Sequence, residues 1–190
     1  MRFLRAFLAN PLSVGSVIPS SRQLSKRMLQ STKFETAKTV VEVGTGTGPV
    51  TSVIMENLPL GCQYLGLDLN ADFIKDLQKK YPHGKFFAES VEGLPKILER
   101  EKLPKADYLV SGLPWTLFSD ELQNLFLKAM SDSMNPEGEI VTFVYLHILY
   151  TPLGTRFLKN LRKYFDEIEP KSIAYWNLPS AAVIRARKKN

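Results

Sequence analysis

The stretch Val40-Val41-Glu42-Val43-Gly44-Thr45-Gly46-Thr47-Gly48-Pro49 decides how this chain is read. A β-branched run climbs into three alternating glycines, and a helical pattern opens at Pro49. β-Branched residues favour pleated backbone, and glycine tolerates the sharp turn that follows. Proline suits a first helical turn, because its missing N–H would be unpaired there anyway. Strand, glycine turn and helix start, in that order, let backbone come close to a bound ligand. The dinucleotide fingerprint is excluded, since its third glycine falls at position 49, which is proline.

Downstream, strand and helix patterns alternate. Strand 39–43 and helix 49–58 are followed by strand 63–67, and Asn70 is placed to cap a helix over 71–80. A short strand at 85–88 leads to Ser90, a cap for a helix running to about Glu101 and interrupted by Pro95. Strand 107–111 precedes Ser119, which starts a periodic helix carrying Leu122, Leu125, Phe126, Ala129 and Met130. Asn135 to Gly138 reads as a turn, 139–145 as a strand and 153–164 as a helix. Two last strands fall near 167–176 and 181–187. This alternation predicts an α/β fold: a doubly wound, mostly parallel, seven-stranded sheet with helices on both faces. Ligands in such sheets sit beyond the carboxyl ends of the strands.

Asp68 ends the second strand, where a carboxylate can accept two hydrogen bonds from ribose hydroxyls. Glu42 puts negative charge beside the turn, which opposes a pyrophosphate and suits a cationic ligand with an amino group. A sulfonium such as S-adenosylmethionine meets that description.

The formal net charge is +6, and it is unevenly placed. Arg2, Arg5, Arg22, Lys26, Arg27 and Lys33 precede Glu35 with no acid among them, so the excess sits in the first 35 residues. Residues 1–35 therefore read as a basic, amphipathic helical arm, and 36–190 as the cofactor-binding domain. Such an arm suits an anionic partner, either nucleic acid or a membrane surface. On a helix over 2–9, Phe3, Leu4, Phe7 and Leu8 share one arc and Arg2 and Arg5 the other. That helix either caps the core or lies in a lipid interface. A second helix, capped by Ser20 or Ser21, runs to about Ser31 with Leu24, Met28 and Leu29 on one side. The single cysteine, Cys62, forms no internal disulfide and fits a reducing compartment. No apolar run reaches the ~18 residues of a spanning helix; the longest candidate, 140–150, is shorter and carries Thr142 and His147.

Glu42-Val43-Gly44-Thr45-Gly46-Thr47-Gly48 resembles the first motif of class I S-adenosylmethionine-dependent methyltransferases, and Gly66-Leu67-Asp68-Leu69-Asn70 the second. Ala88-Glu89-Ser90 stands where that class has Gly-Asp-Ala. The resemblance implies a Rossmann-like methyltransferase sheet with S-adenosylmethionine as cofactor and S-adenosylhomocysteine as product. It assigns cofactor contacts to Glu42, Gly44, Thr45, Gly46, Asp68, Leu69, Glu89, Ser90, Val91 and Ser111. Glu89 would take the adenine amino group, with Ser90 and Val91 against the ring.

The fourth motif, Asp107 to Trp115, separates the substrate classes. Ribosomal RNA adenine dimethylases carry Asn-Leu-Pro-aromatic there; this chain keeps Leu113-Pro114-Trp115 but has Gly112 at the asparagine position, which removes the amine acceptor. Trp115 either stacks on a substrate or packs against the sheet. Phe3 to Pro11, Val14 to Arg22, Ser111 to Pro114 and Asn177-Leu178-Pro179 are similar to bacterial phospholipid N-methyltransferases. That resemblance implies methylation of phosphatidylethanolamine towards phosphatidylcholine, or of an ornithine lipid, by a cytoplasmic protein peripheral on the inner face of the membrane; the alternative is an RNA adenine dimethylase-like or small-molecule methyltransferase whose arm binds phosphates. Tyr145 and His147 are candidate catalytic residues, able to relay a proton or, with Tyr150, to hold a methylated cation. Phe3, Arg5, Phe7, Leu8, Trp115, Tyr150 and Asn177 are candidate substrate or membrane contacts. The expected partners are an anionic membrane surface and its lipid substrate; no nucleic acid, obligate partner protein or metal is implied.

Overall fold

Every side chain of β1 (Thr39–Val43) is buried, as expected for a strand covered on both faces at the centre of a parallel sheet. The computed structural model describes residues 22–30, 32, 34–174 and 179–189, with side chains omitted at 169–172. The helix expected over 2–9, with Phe3, Arg5, Phe7 and Leu8, lies outside the described residues, as does Asn177.

The strands are β1, β2 (Gln63–Leu67), β3 (Lys85–Phe87), β4 (Ala106–Ser111), β5 (Met134–Tyr145), β6 (Phe165–Ala174) and β7 (Ala181–Lys188). They form one seven-stranded sheet in the order β3-β2-β1-β4-β5-β7-β6. The β1/β2, β2/β3, β1/β4 and β4/β5 pairs are parallel. β7 lies antiparallel between β5 and β6. The order turns back between β1 and β4, which puts the switch point at the glycine turn.

Seven helices are described: α1 (Arg22–Leu29), α2 (Pro49–Asn57), α3 (Ala71–Lys80), α4 (Leu94–Arg100), α5 (Asp120–Asp132), α6 (Leu146–Leu149) and α7 (Pro152–Tyr164). Strand side chains alternate between faces. Val40, Val110, Val141 and Val183 pack with α1, α2 and α3 through Leu24, Met28, Ile54 and Leu77. Val41, Val43, Leu65 and Leu109 pack on the other face with Leu94, Ile97, Phe126, Met130 and Phe157. Leu24 and Met28 are fully buried, each contributing ~1.5–3 kcal/mol by removal from water. Helix α1 of the expected arm is therefore continuous with the core, and its Arg22 pairs with Glu56 of α2 at 3.0 Å.

Asn70 and Ser119 cap α3 and α5 with their side chains. Ser90 forms no side-chain cap: a 3₁₀ turn at Val91–Gly93 leads into α4, and Pro95 sits in its first turn instead of interrupting it. The turn expected at Asn135 to Gly138 is a bulge inside β5, with Ala106 opposite Met134 and Tyr108 opposite Glu139. Asn135 Nδ2 donates to Lys105 O and Asp107 Oδ1, which ties the bulge to the start of β4. Residues 146–149 form one helical turn after β5.

Candidate active site

The glycine turn leaves β1 at the sheet centre and is fastened to β2. The Gly44 and Thr45 N–H groups donate to Leu67 O at 2.8 and 3.2 Å. Asp68 Oδ2 accepts from Gly46 N–H at 2.8 Å, and its Oδ1 accepts from Asn70 N–H at 2.9 Å. One carboxylate thus holds the turn after β1 and the start of α3 in fixed relation. Leu69, beside it, is exposed.

Glu42 corrects an expectation. Val41 and Val43 take one face of β1, so Glu42 falls on the face of Val40, beneath α2. It is 1% exposed, and the Tyr64 hydroxyl donates to its Oε2. Burial pushes its pKa to about 8, so at neutral pH it largely keeps its proton and does not supply the expected charge. The proton is bound more tightly folded than unfolded. The stability this contributes is present below the ordinary value of 4.5 and is lost as pH rises through about 8. Between pH 5 and 8.5, unfolding of Glu42→Gln and wild type is expected to shift by about 2–4 kcal/mol in favour of the variant. Parallel melting curves across that range would show that Glu42 is already ionised in the fold.

At the end of β3, Glu89 Oε1 accepts from Arg100 at 2.7 Å, and the Arg100 guanidinium lies over the Phe87 ring at 5.2 Å. The carboxylate assigned to adenine is therefore already ion-paired, with Oε2 the oxygen left to accept from an amino group. Val91 is buried and Ser90 partly so.

The end of β4 brings two more corrections. Ser111 is fully buried, and its Oγ accepts from the Trp115 indole at 3.2 Å and from Leu113 N–H at 3.3 Å. Both contacts hold the hydroxyl oxygen inside the fold, beneath the β4 loop. Trp115 is 1% exposed. Its Nε1–H also donates to Thr142 Oγ1 at 3.0 Å, and its ring stacks on Phe157 with centroids 5.1 Å apart. It is a core residue forming a floor, not a free stacking surface. Trp115→Phe keeps a ring but leaves the two hydroxyls without their donor. The expected result is a loss of about 1–3 kcal/mol in stability with activity retained below the melting point. Unchanged melting with lost activity would mean that the ring contacts substrate.

Gly112 does more than remove an acceptor. Its N–H donates to Val43 O at 2.9 Å. A Cβ there would stand 2.6 Å from Gly44 O, inside any real contact distance. The β4 loop can lie against the glycine turn only because residue 112 has no side chain.

Beyond that contact opens a cavity of about 220 Å³, lined by Gly112 to Leu117, Phe143 to Tyr145, His147, Ile148 and Pro179. Of the group Tyr145, His147 and Tyr150 expected together, Tyr145 and His147 line it, and Trp115 lines it too. Tyr150 does not: it lies outside the lining and is 81% exposed. Tyr145 stacks on His147 with centroids 6.0 Å apart, and Phe143 meets Tyr145 edge-on at 5.7 Å. Partial burial pushes the Tyr145 phenol above its ordinary value, keeping it protonated. Sequence reasoning missed Phe143. Its signal was the two-residue strand period, which puts it on the face of Tyr145.

The turn fits an adenosylated cofactor. A Cβ at Gly46 would meet nothing within 4 Å, so the backbone faces open space. Thr45 Oγ1 is buried without a hydrogen-bond partner. Asp68 ends the neighbouring strand with lone pairs to spare.

A family model described as an O-methyltransferase domain matches residues 15–150. The chain is 32% identical to an ornithine lipid N-methyltransferase from Singulisphaera acidiphila over 193 residues, 97% of this chain and 94% of that protein. The fold is shared with TrmN from Thermus thermophilus (16% identity, TM-score 0.70) over 87% of this chain, which spans 48% of that one. It is also shared with the N-methyltransferase NodS from Bradyrhizobium japonicum WM9 in complex with S-adenosylhomocysteine (13%, TM-score 0.66), over 100% of this chain and 98% of that one. With its glycine turn fastened to Asp68 at the switch point, the chain belongs to the S-adenosylmethionine-dependent methyltransferases.

Proposed function

We propose that this protein methylates the amine of a membrane-lipid head group. The observation that carries the reading is the cavity at the ends of β4 and β5. Its wall, Gly112 and Leu113, touches the cofactor turn, and its described lining has no aspartate, glutamate, lysine or arginine. S-Adenosylmethionine bound at Gly44 to Asp68 supplies a methyl group on a positively charged sulfur. Leu113, Pro114, Leu117 and Ile148 exclude water from the acceptor and align it against the turn. The attacking nitrogen must be neutral, because an ammonium has no lone pair. His147 is exposed at the cavity, so its imidazole can take the proton released and pass it to solvent.

The basic excess before Glu35 supports docking on an anionic membrane surface, each basic residue near it contributing ~1 kcal/mol. Among the described residues no helix is long and apolar enough to cross a membrane. The sequence resemblance favours phosphatidylethanolamine as acceptor, with phosphatidylcholine as end product. The 32% identical relative favours an ornithine lipid, the second reading.

The test is methyl transfer from labelled S-adenosylmethionine to anionic vesicles carrying phosphatidylethanolamine or ornithine lipid, with ribosomal RNA in parallel. Label in one of the two lipids and not in RNA is expected. Label in RNA alone would overturn the lipid reading.

A further inference from the structure

The cavity has an uncommon chemistry for an amine site. A primary ammonium carries three N–H donors and is best met by carboxylates or carbonyls. The described lining offers no carboxylate, but three rings, Phe143, Tyr145 and His147, coupled ring to ring. Phe143 and Tyr145 project from the same face of β5, and a strand holds their spacing rigidly. The other large lining groups, Leu113, Leu117, Ile148 and Pro179, are apolar. Such walls do little for N–H groups and favour a cation whose charge is spread over methyls.

We propose that Phe143, Tyr145 and His147 form a subsite for a methylated ammonium ion, and that its affinity rises with each methyl group. The inference rests on this cavity being the acceptor site. Each methyl replaces an N–H with apolar surface that the rings can bury. The gain is about fourfold per fully buried methyl, and the charge adds attraction to the ring faces that a neutral group of the same shape lacks. A partly methylated head group is then held better than the starting amine, and the final product best of all.

The experiment uses the full chain saturated with S-adenosylhomocysteine, so that no turnover occurs. Ethanolamine, its mono- and dimethyl derivatives and choline are titrated calorimetrically, with 3,3-dimethylbutan-1-ol as the neutral isostere of choline. These probes carry only the ammonium and a two-carbon alcohol, so the result does not depend on which lipid is the substrate. Affinity is expected to rise along the series by about tenfold or more overall, with choline well ahead of the isostere. Tyr145→Leu is expected to flatten the series. Tyr145→Phe, which keeps the ring face and loses the hydroxyl, is expected to preserve it; matched melting curves show that both variants fold. Equal affinities along the series, an isostere as tight as choline, or a series unchanged in Tyr145→Leu would each overturn the subsite. If vesicle lipids are still methylated in that case, the acceptor reading stands and only the ring subsite falls. If choline does not bind and no lipid is methylated, both fall.

Discussion

Asp68→Ala is expected to weaken binding of S-adenosylmethionine and S-adenosylhomocysteine by about 100-fold or more. The carboxylate accepts Gly46 N–H on one oxygen and Asn70 N–H on the other, joining the turn after β1 to the cap of α3. Hydrogen bonds to a charged group contribute about 1.5–3 kcal/mol each. Alanine removes both internal bonds and the lone pairs left for a ribose to meet. The turn then loses its anchor at Gly46, where the backbone borders open space. Asp68→Asn keeps one acceptor oxygen and should fall between alanine and wild type. Calorimetric titration with S-adenosylhomocysteine measures the loss directly. An alanine variant within about threefold of wild type would place the ribose elsewhere.

Gly112→Asn is expected to abolish methyl transfer and to lower stability by about 1–3 kcal/mol, the usual cost of forcing atoms into a filled space. Asparagine is the residue that adenine dimethylases carry there, so a purely chemical view predicts a gained acceptor. The geometry predicts the opposite. A Cβ at 112 would lie 2.6 Å from Gly44 O and 3.7 Å from Gly44 C, and that neighbour is backbone, which cannot rotate away. The β4 loop or the glycine turn must shift, and either shift separates the glycine turn from the cavity beside it. Gly112→Ala should show most of the same loss, because the damage begins at the first carbon. An asparagine variant that folds as wild type and methylates RNA adenine would contradict this account.

These two residues mark how far the sequence could be read. Local signals were legible. The β-branched run of β1, the proline opening α2 and the side-chain caps Asn70 and Ser119 each act within a few residues, and the fold followed from their order. Asp68 was legible because strand position alone brings it to the turn. Glu42 and Ser111 were assigned to the cofactor and Trp115 left between substrate and sheet, and each side chain turns into the fold. Their direction depends on which face of a strand meets which helix, and Thr142 reaches Trp115 from a different strand. The ion pair of Glu89 comes from Arg100, on the helix that follows. The bulge at 135–138 looked like a turn because both use the same residue types; only the pairing of β4 with β5 distinguishes them. Gly112 was read for the side chain it lacks, whereas the backbone it approaches belongs to a turn far away in the chain.

The most direct test of the central claim is a crystal structure of the full chain with S-adenosylhomocysteine and a short-chain lipid amine. The account predicts the ribose on Asp68 and the head-group nitrogen in the cavity between Leu113 and Tyr145, facing the cofactor sulfur. A nitrogen bound outside that cavity, with the cofactor in place at the glycine turn, would contradict it.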